Sequence, residues 1–480
     1  NHRNHHHRRP RAGVICGCRP RGGAGANPVT MWLPTLVLLV LTLGAAHYAH
    51  AQDDVEPQSP CLIAWQNRAP RNRPIVNVAK NMRYRTLLSL DGGDVRATIQ
   101  TAVLCELELI VKRNLINLGK VNFTDIDDFD IRLSDYFDMI AGTSAGTYLS
   151  TYIGTDGGDR TAFRNIGVDT DVPGSAYGAF QYMQAFGPMV TDAFGTVPGG
   201  STDYDVVGPW VYNYFDGWFG ALYNNISTAF QHDPNKASLM WTWSRASNGG
   251  GVTSMAMYKD NQQATGGVMH MNLDGTISEV DDVDYYVWQG IRGSTSWPPR
   301  VPTYMATTTP QSASNHTFAV IDGAITSMDP TASAFPFMQK RMNVKARRTA
   351  ILSIGTGAVL DTTVEDVDWV SHNEDYVRAW VSTLATRGKS AVTFKTLYDA
   401  LYSPYQYVRI DQDFSTGPDG DDCGGLFTEE ECPMVRMAVQ FTQSRFLPTY
   451  TLIGARWAEA YYRDMNQFVR KFLLDGIDHD

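Results

Sequence analysis

Gly142-Thr143-Ser144-Ala145-Gly146 sets one hydroxyl between two glycines at the end of the largely apolar run Tyr136 to Gly142. Glycine at those two positions lets the chain turn sharply without Cβ clashes, which lifts the Ser144 side chain above the end of a strand. A helix starting there would aim amide N–H groups and its dipole at a developing oxyanion. The chemistry open to such a serine is nucleophilic attack on an acyl carbonyl. Taken alone, five residues of this form are equally compatible with a tight turn that does no chemistry.

Three other stretches could supply partners. "LDGGDVRA", Leu90 to Ala97, is a glycine-rich strand-to-helix turn in which the amides of Gly92, Gly93 and Asp94 could point at a substrate oxygen. "VIDGAI", Val320 to Ile325, ends an apolar run with Asp322 followed by glycine, a suitable place for a carboxylate at a sheet edge. "LSIGTG", Leu352 to Gly357, is a further strand ending in a glycine turn. The competing arrangement, a Ser-Asp-His order as in α/β-hydrolases, would need His372 or His479 as base.

Taken in order, these four stretches resemble the patatin-like phospholipase family, whose pattern is a DGGGxR turn, then GTSxG, then a DGG or DGA aspartate, then SLGTG. They stand here as Asp91-Gly92-Gly93-Asp94-Val95-Arg96, Gly142 to Gly146, Asp322-Gly323-Ala324 and Ser353-Ile354-Gly355-Thr356-Gly357. The segment Trp288 to Met305 also looks like the family's approach to the aspartate strand. The resemblance implies a three-layer α/β/α sandwich with a mainly parallel central sheet. It implies a Ser-Asp dyad, with Ser144 as nucleophile and Asp322 as the group that takes and returns its proton, acting on glycerolipid esters at a membrane or micelle surface. Gly92, Gly93 and Asp94 would hold the oxyanion, Gly142 and Gly146 would form the elbow, and Arg96 would fix the loop or meet a lipid head group. No metal or cofactor is implied. Asp94 stands where the family has a third glycine and Ala97 where a glycine follows the arginine. A carboxylate beside an oxyanion repels it unless turned away or paired, so a catalytically weak storage or binding glycoprotein on the same fold is the alternative.

The elements that must position these residues are legible in outline. "RTLLSL", Arg85 to Leu90, has the length of a buried strand, and Ile99, Val103, Leu107, Ile110 and Val111 then recur at helical spacing. The same strand, glycine turn and helix recur around Ser144, and alternation of this kind predicts a parallel sheet with helices on both faces. Further strands are expected at Thr317 to Asp322 and Thr349 to Gly355. One long amphipathic helix carrying Trp457, Tyr461, Met465, Phe468 and Phe472 on one stripe is expected to close the fold. Ser144 and Asp322 lie 178 positions apart, which predicts an insertion around residues 156–278. Its aromatic stretch Tyr204 to Asn225 is expected either in the core or as a lid.

The remaining readings bound the setting. Residues 1–30, with six arginines and no acid, read as a leader outside the fold; residues 31–51 read as a signal peptide ending Ala49-His50-Ala51; residues 52–84 read as an N-terminal arm ahead of one domain, 85–480. From Gln52 the chain carries 34 basic and 50 acidic residues, a formal net charge of −16, which excludes nucleic acid as an expected partner. A secreted or endomembrane-lumenal location, vacuolar or extracellular, is expected. It fits the sequons at Asn122, Asn225 and Asn315 and four remaining cysteines, of which Cys423 and Cys432 pair first while Cys61 and Cys105 are paired or free. The acidic stretches Asp274 to Asp284 and Asp411 to Asp422 lack the Gly and Glu positions of an EF-hand and read as solvated loops.

Overall fold

The computed structural model of the chain describes residues 59–66, 73–77, 83–155, 158–168, 171–195, 216–223, 237–245, 252–260, 263–271, 277–281, 283–297, 301–357 (except 302, 311, 313 and 314), 389–414, 423–441 (except 424) and 444–474. The strands are β1 (Arg85–Leu90), β2 (Met139–Thr143), β3 (Ser238–Arg245), β4 (Val252–Asp260), β5 (Gln263–Met271), β6 (Ile277–Asp281), β7 (Tyr304–Thr307), β8 (Thr317–Asp322), β9 (Thr349–Ile354) and β10 (Tyr407–Ile410). They run β10-β9-β1-β2-β3-β4-β5-β6 across one sheet. The pairs from β10 to β3 are parallel, and β4, β5 and β6 extend the sheet antiparallel.

Both faces of the parallel part are covered, which is why its strands read as nearly continuous apolar runs. Leu88, Leu90, Ile140, Leu352 and Ile354 face one core, packed with the buried helix Ala97–Asn117 and the helix Leu447–Ala460. Leu87, Met139, Ala141 and Ile351 face a second, smaller core with Phe337, Met338 and Tyr398 from the helices Thr331–Arg341 and Lys389–Leu401. The chain therefore has the expected α/β architecture with helices on both sides of the sheet.

One strand departs from the simple alternation in a way that builds the site. β8 pairs antiparallel with β3, not within the parallel series. In the register of β3, Thr242 sits beside Thr143, the last residue of β2, and the next residue, Trp243, sits beside Asp322, the last residue of β8. β8 thus takes over the edge of β3 where β2 stops, and the end of β8 meets the residue that follows β2, Ser144.

The C-terminal stripe forms two helices and a wide turn rather than one helix. Leu447–Ala460 ends at Tyr461, Tyr462–Phe468 follows, and Val469–Leu473 closes as a π-helical turn. The junction is anchored to the loop after β10: the Trp457 indole donates to Gln412 and the Tyr461 hydroxyl to the Asp411 carbonyl. Within the arm, Pro60–Gln66 is a short helix, bridged to Ala97–Asn117 by the disulfide Cys61–Cys105; Cys423–Cys432 forms the second disulfide. Of the aromatic stretch, the described part Gly217–Tyr223 buries Trp218, Phe219, Leu222 and Tyr223. Among the described residues no helix is long and apolar enough to cross a membrane, and the apolar segment after Met31 lies outside them.

Candidate active site

Ser144 follows β2 directly and holds a φ of 48°, a region that side chains with a Cβ rarely occupy. The turn is forced by close packing on both sides. A Cβ on Gly142 would meet the Ser150 hydroxyl and the Gly146 carbonyl, and one on Gly146 would run into the Leu90 carbonyl oxygen. The Ser144 amide, which points away from any helix ladder, donates to the Ser294 hydroxyl at 2.8 Å, and Ser294 in turn donates to the Thr242 carbonyl. The helix Gly146–Gly154 then begins under the serine.

The Ser144 hydroxyl donates to Asp322 Oδ2 at 2.8 Å. Asp322 is fully buried, and its other oxygen accepts the Ala324 amide at 2.8 Å. Burial pushes its carboxyl up from 3.8 to about 7; the Ala324 amide and the Ser144 hydroxyl pull it down, and the Asp94 carboxylate adds to the rise. A carboxylate tuned to that range and bonded to a hydroxyl can take its proton near neutrality. Among the described residues the Ser144 hydroxyl bonds to no histidine; His372 and His479 lie outside them.

The turn after β1 lies against the serine: a Cβ on Gly92 would sit 3.0 Å from that of Ser144. Of the three amides expected to hold an oxyanion, that of Gly92 is committed instead, donating to the Met328 carbonyl at 3.1 Å. This corrects the expectation for Gly92, and the cause is the segment after Asp322 folding back over the turn. The Gly93 N–H has no hydrogen-bond partner among the described residues, while its carbonyl accepts both the backbone N–H and the Nε of Arg96. Asp94 itself stands at a φ of 56°.

Arg96 is buried, with Nη1 donating to the Gly357 and Val439 carbonyls at 3.0 and 3.2 Å. It fixes the loop, as one expectation had it. Its Nε and Nη1 are directed at these backbone oxygens within the buried loop. Thr356 completes the support by donating to the Gly92 carbonyl at 2.7 Å.

Two neighbours of the serine carry little signal in the sequence. Ser294 lies in the stretch Trp288 to Met305, noted only as a resemblance, and nothing local marks it as the acceptor for the elbow amide. Tyr148 follows Ser144 by four positions and so leans back over it, a spacing that could have flagged it. Burial raises its phenol well above its usual range, with Asp94 and Asp322 adding to the rise. Its ring packs against Tyr182, Phe186 and Phe219 in a buried aromatic cluster beside the elbow. Among the described residues no group of three or more His, Cys, Asp or Glu side chains is placed to hold a metal ion.

No family model matches the chain. Among curated proteins, Patatin-like protein 4 of Arabidopsis thaliana is 25% identical over 354 residues, which cover 68% of this chain and 76% of the relative. Patatin-17 of Solanum cardiophyllum is 22% identical over 354 residues, 69% of this chain and 77% of the relative. Patatin-like protein 2 of Oryza sativa subsp. indica reaches 37% over 74 residues, 15% of each chain. The chain is thus similar to patatins and patatin-like proteins at low identity over more than two thirds of its length.

Proposed function

We propose that this chain is a lipid acyl hydrolase that releases fatty acids from glycerolipids through the Ser144–Asp322 dyad. The observation that carries this is the 2.8 Å bond from a hydroxyl on a strained elbow to a fully buried aspartate, whose burial pushes its carboxyl up to about 7. The similarity to patatins supports the substrate class.

In this reading Ser144 Oγ forms a bond to the ester carbonyl carbon as its proton passes to Asp322. The oxyanion is met by the Gly93 N–H, assisted by the amide of Asp94. Collapse breaks the bond to the leaving alcohol, which takes the proton from Asp322. Water then adds to the acyl-enzyme, giving its proton to Asp322, and the fatty acid leaves as Ser144 is reprotonated. We further propose that the protein works in a secretory or lumenal compartment. Asn122 and Asn315 are exposed and available to carry glycans, Asn225 lies outside the described residues, and the two disulfides suit an oxidising environment.

Purified chain from Gln52, treated with a fluorophosphonate, is expected to label at Ser144 and to release fatty acid from phospholipid and galactolipid vesicles. Ser144→Ala should lose labelling and at least ~10³-fold of the hydrolysis rate, as for nucleophiles that act in concert with a base. Changing His372 or His479 should leave both intact. Folded protein that neither labels nor hydrolyses would instead mark a binding or storage glycoprotein, and dependence on one histidine would mark a different esterase.

A further inference from the structure

The donor on which the proposed chemistry rests, the Gly93 N–H, sits on a turn whose shape is set by residues far from it in sequence. Asp91, the first residue of that turn, is buried, and both of its oxygens accept from Arg409: Oδ1 from Nη1 at 2.9 Å and Oδ2 from Nη2 at 2.5 Å. Arg409 belongs to β10, two strands away from β1. It reaches across β9, where Nη1 also donates to the Ser353 hydroxyl at 2.6 Å.

From there the contacts close into a ring. Arg409 Nη2 donates to Asp411 Oδ2 at 2.6 Å, and Asp411 Oδ1 accepts the Gly357 amide at 3.0 Å. The Gly357 carbonyl accepts Arg96 Nη1 at 3.0 Å, and Arg96 Nε donates to the Gly93 carbonyl at 3.1 Å. Gly93 is joined to Asp91 through the backbone of Gly92, so the peptide bearing the donor is held from both ends by one circuit of charge-assisted bonds. Two parallel bonds from a planar guanidinium fix orientation as well as distance, which an ammonium at the same place does not.

We propose that Arg409 is a positioning residue for catalysis, holding the Asp91–Asp94 turn so that the Gly93 N–H faces the reacting carbonyl. The inference rests on the hydrolase reading for its kinetic consequence, though not for its structural one. Burial pushes the Asp91 carboxyl upward against the pull of Arg409, which favours its neutral form once Arg409 is removed.

The test compares wild type with Arg409→Ala, Arg409→Lys and Asp91→Asn. Arg409→Ala and Arg409→Lys are expected to lower kcat about 10²-fold, the scale of losing an oxyanion donor, with KM changed less than about threefold. Added guanidinium should restore activity to Arg409→Ala and not to Asp91→Asn, which a general loss of stability would not produce. Hydrogen exchange should speed up at residues 92–94 in each variant and stay unchanged in β2 and the elbow. Wild-type kcat in Arg409→Lys, or unchanged exchange in the turn, overturns the proposal. If wild-type protein itself shows no ester hydrolysis, the hydrolase reading falls, and exchange at residues 92–94 alone decides whether Arg409 holds the turn. If Arg409→Ala does not fold, Arg409→Lys and Asp91→Asn carry the same comparison.

Discussion

Two adjacent strands, β1 and β2, each end in a turn that places a residue with a Cβ at positive φ: Asp94 at 56° and Ser144 at 48°. Both leave no room for a Cβ at their glycines, and they differ in how much attachment is added. The Ser144 elbow is shaped mainly by exclusion, since Gly142 and Gly146 leave no room for side chains, with outside bonds from its amide to Ser294, from its hydroxyl to Asp322 and from the Thr143 hydroxyl to the Ser327 carbonyl. The Asp94 turn is shaped by attachment, through Met328, Thr356, Arg96 and the bidentate Asp91–Arg409 pair. The glycines that permit a turn made by exclusion are written within five residues. One made by attachment is written across more than three hundred.

The largest effect should come from filling the space that the elbow needs empty. A methyl at Gly146 meets the Leu90 and Asp91 carbonyl oxygens, which are backbone and cannot rotate away. Gly146→Ala should therefore cost about 3 kcal/mol of stability, the upper range for overpacking, and should also displace the turn carrying Gly93. Gly217, where a Cβ meets nothing within 4 Å, is the matched control, and Gly217→Ala should stay within about 0.5 kcal/mol. Denaturant unfolding of the two variants makes the comparison. Equal stability would mean that exclusion does not shape the elbow.

How much of this could be read from sequence follows the same division. The elbow, the Asp322 strand and the 97–117 helix were legible because their signals are local: glycine spacing, a strand-length apolar run, a helical period. The two disulfide pairs were open to a count of cysteines, although only Cys423–Cys432 was the favoured pair. What was not legible depends on partners distant in the chain. The commitment of the Gly92 amide to Met328, the Ser294 acceptor and the Arg409 fork each join segments 150 or more positions apart. The antiparallel entry of β8 was equally hidden, because its sequence reads like any buried strand. The break at Tyr461 is not legible because the apolar stripe continues through it while the anchoring bonds to Gln412 and Asp411 come from another element.

A middle-sized effect is expected at the carboxylate that joins the two regions. If Asp322 must be ionised to take the Ser144 proton, kcat should rise with pH through about 7 and level off above it. The linkage to stability has the opposite sense. A carboxyl raised from 3.8 to about 7 binds its proton more tightly in the fold, so its contribution is fully present below about 3.8 and is lost as pH rises through about 7. Asp322→Asn keeps the shape and removes the charge. It should abolish hydrolysis while raising stability at pH 8. Thermal melts of wild type and Asp322→Asn at pH 5 and pH 8 check the sign: the gap between them should widen at pH 8, and a constant gap would refute the raised carboxyl.

The smallest effect, and the one that bears most directly on the comparison, is at Asp94. Its charge and its backbone conformation act separately. The charge adds to the rise of the Asp322 carboxyl, behind burial, and the conformation costs on the order of 1 kcal/mol for a residue with a Cβ. Asp94→Asn removes the charge and keeps a residue that tolerates positive φ; Asp94→Gly removes both. Each should move the acid limb of the kcat profile to lower pH, and only Asp94→Gly should add stability, by about 1 kcal/mol. If both variants shift the limb and only the glycine gains stability, the attached turn carries the same strain as the elbow and is simply better tethered. If Asp94→Gly loses activity instead, the aspartate is part of what holds the Gly93 donor in place, and attachment extends to the tip of the turn.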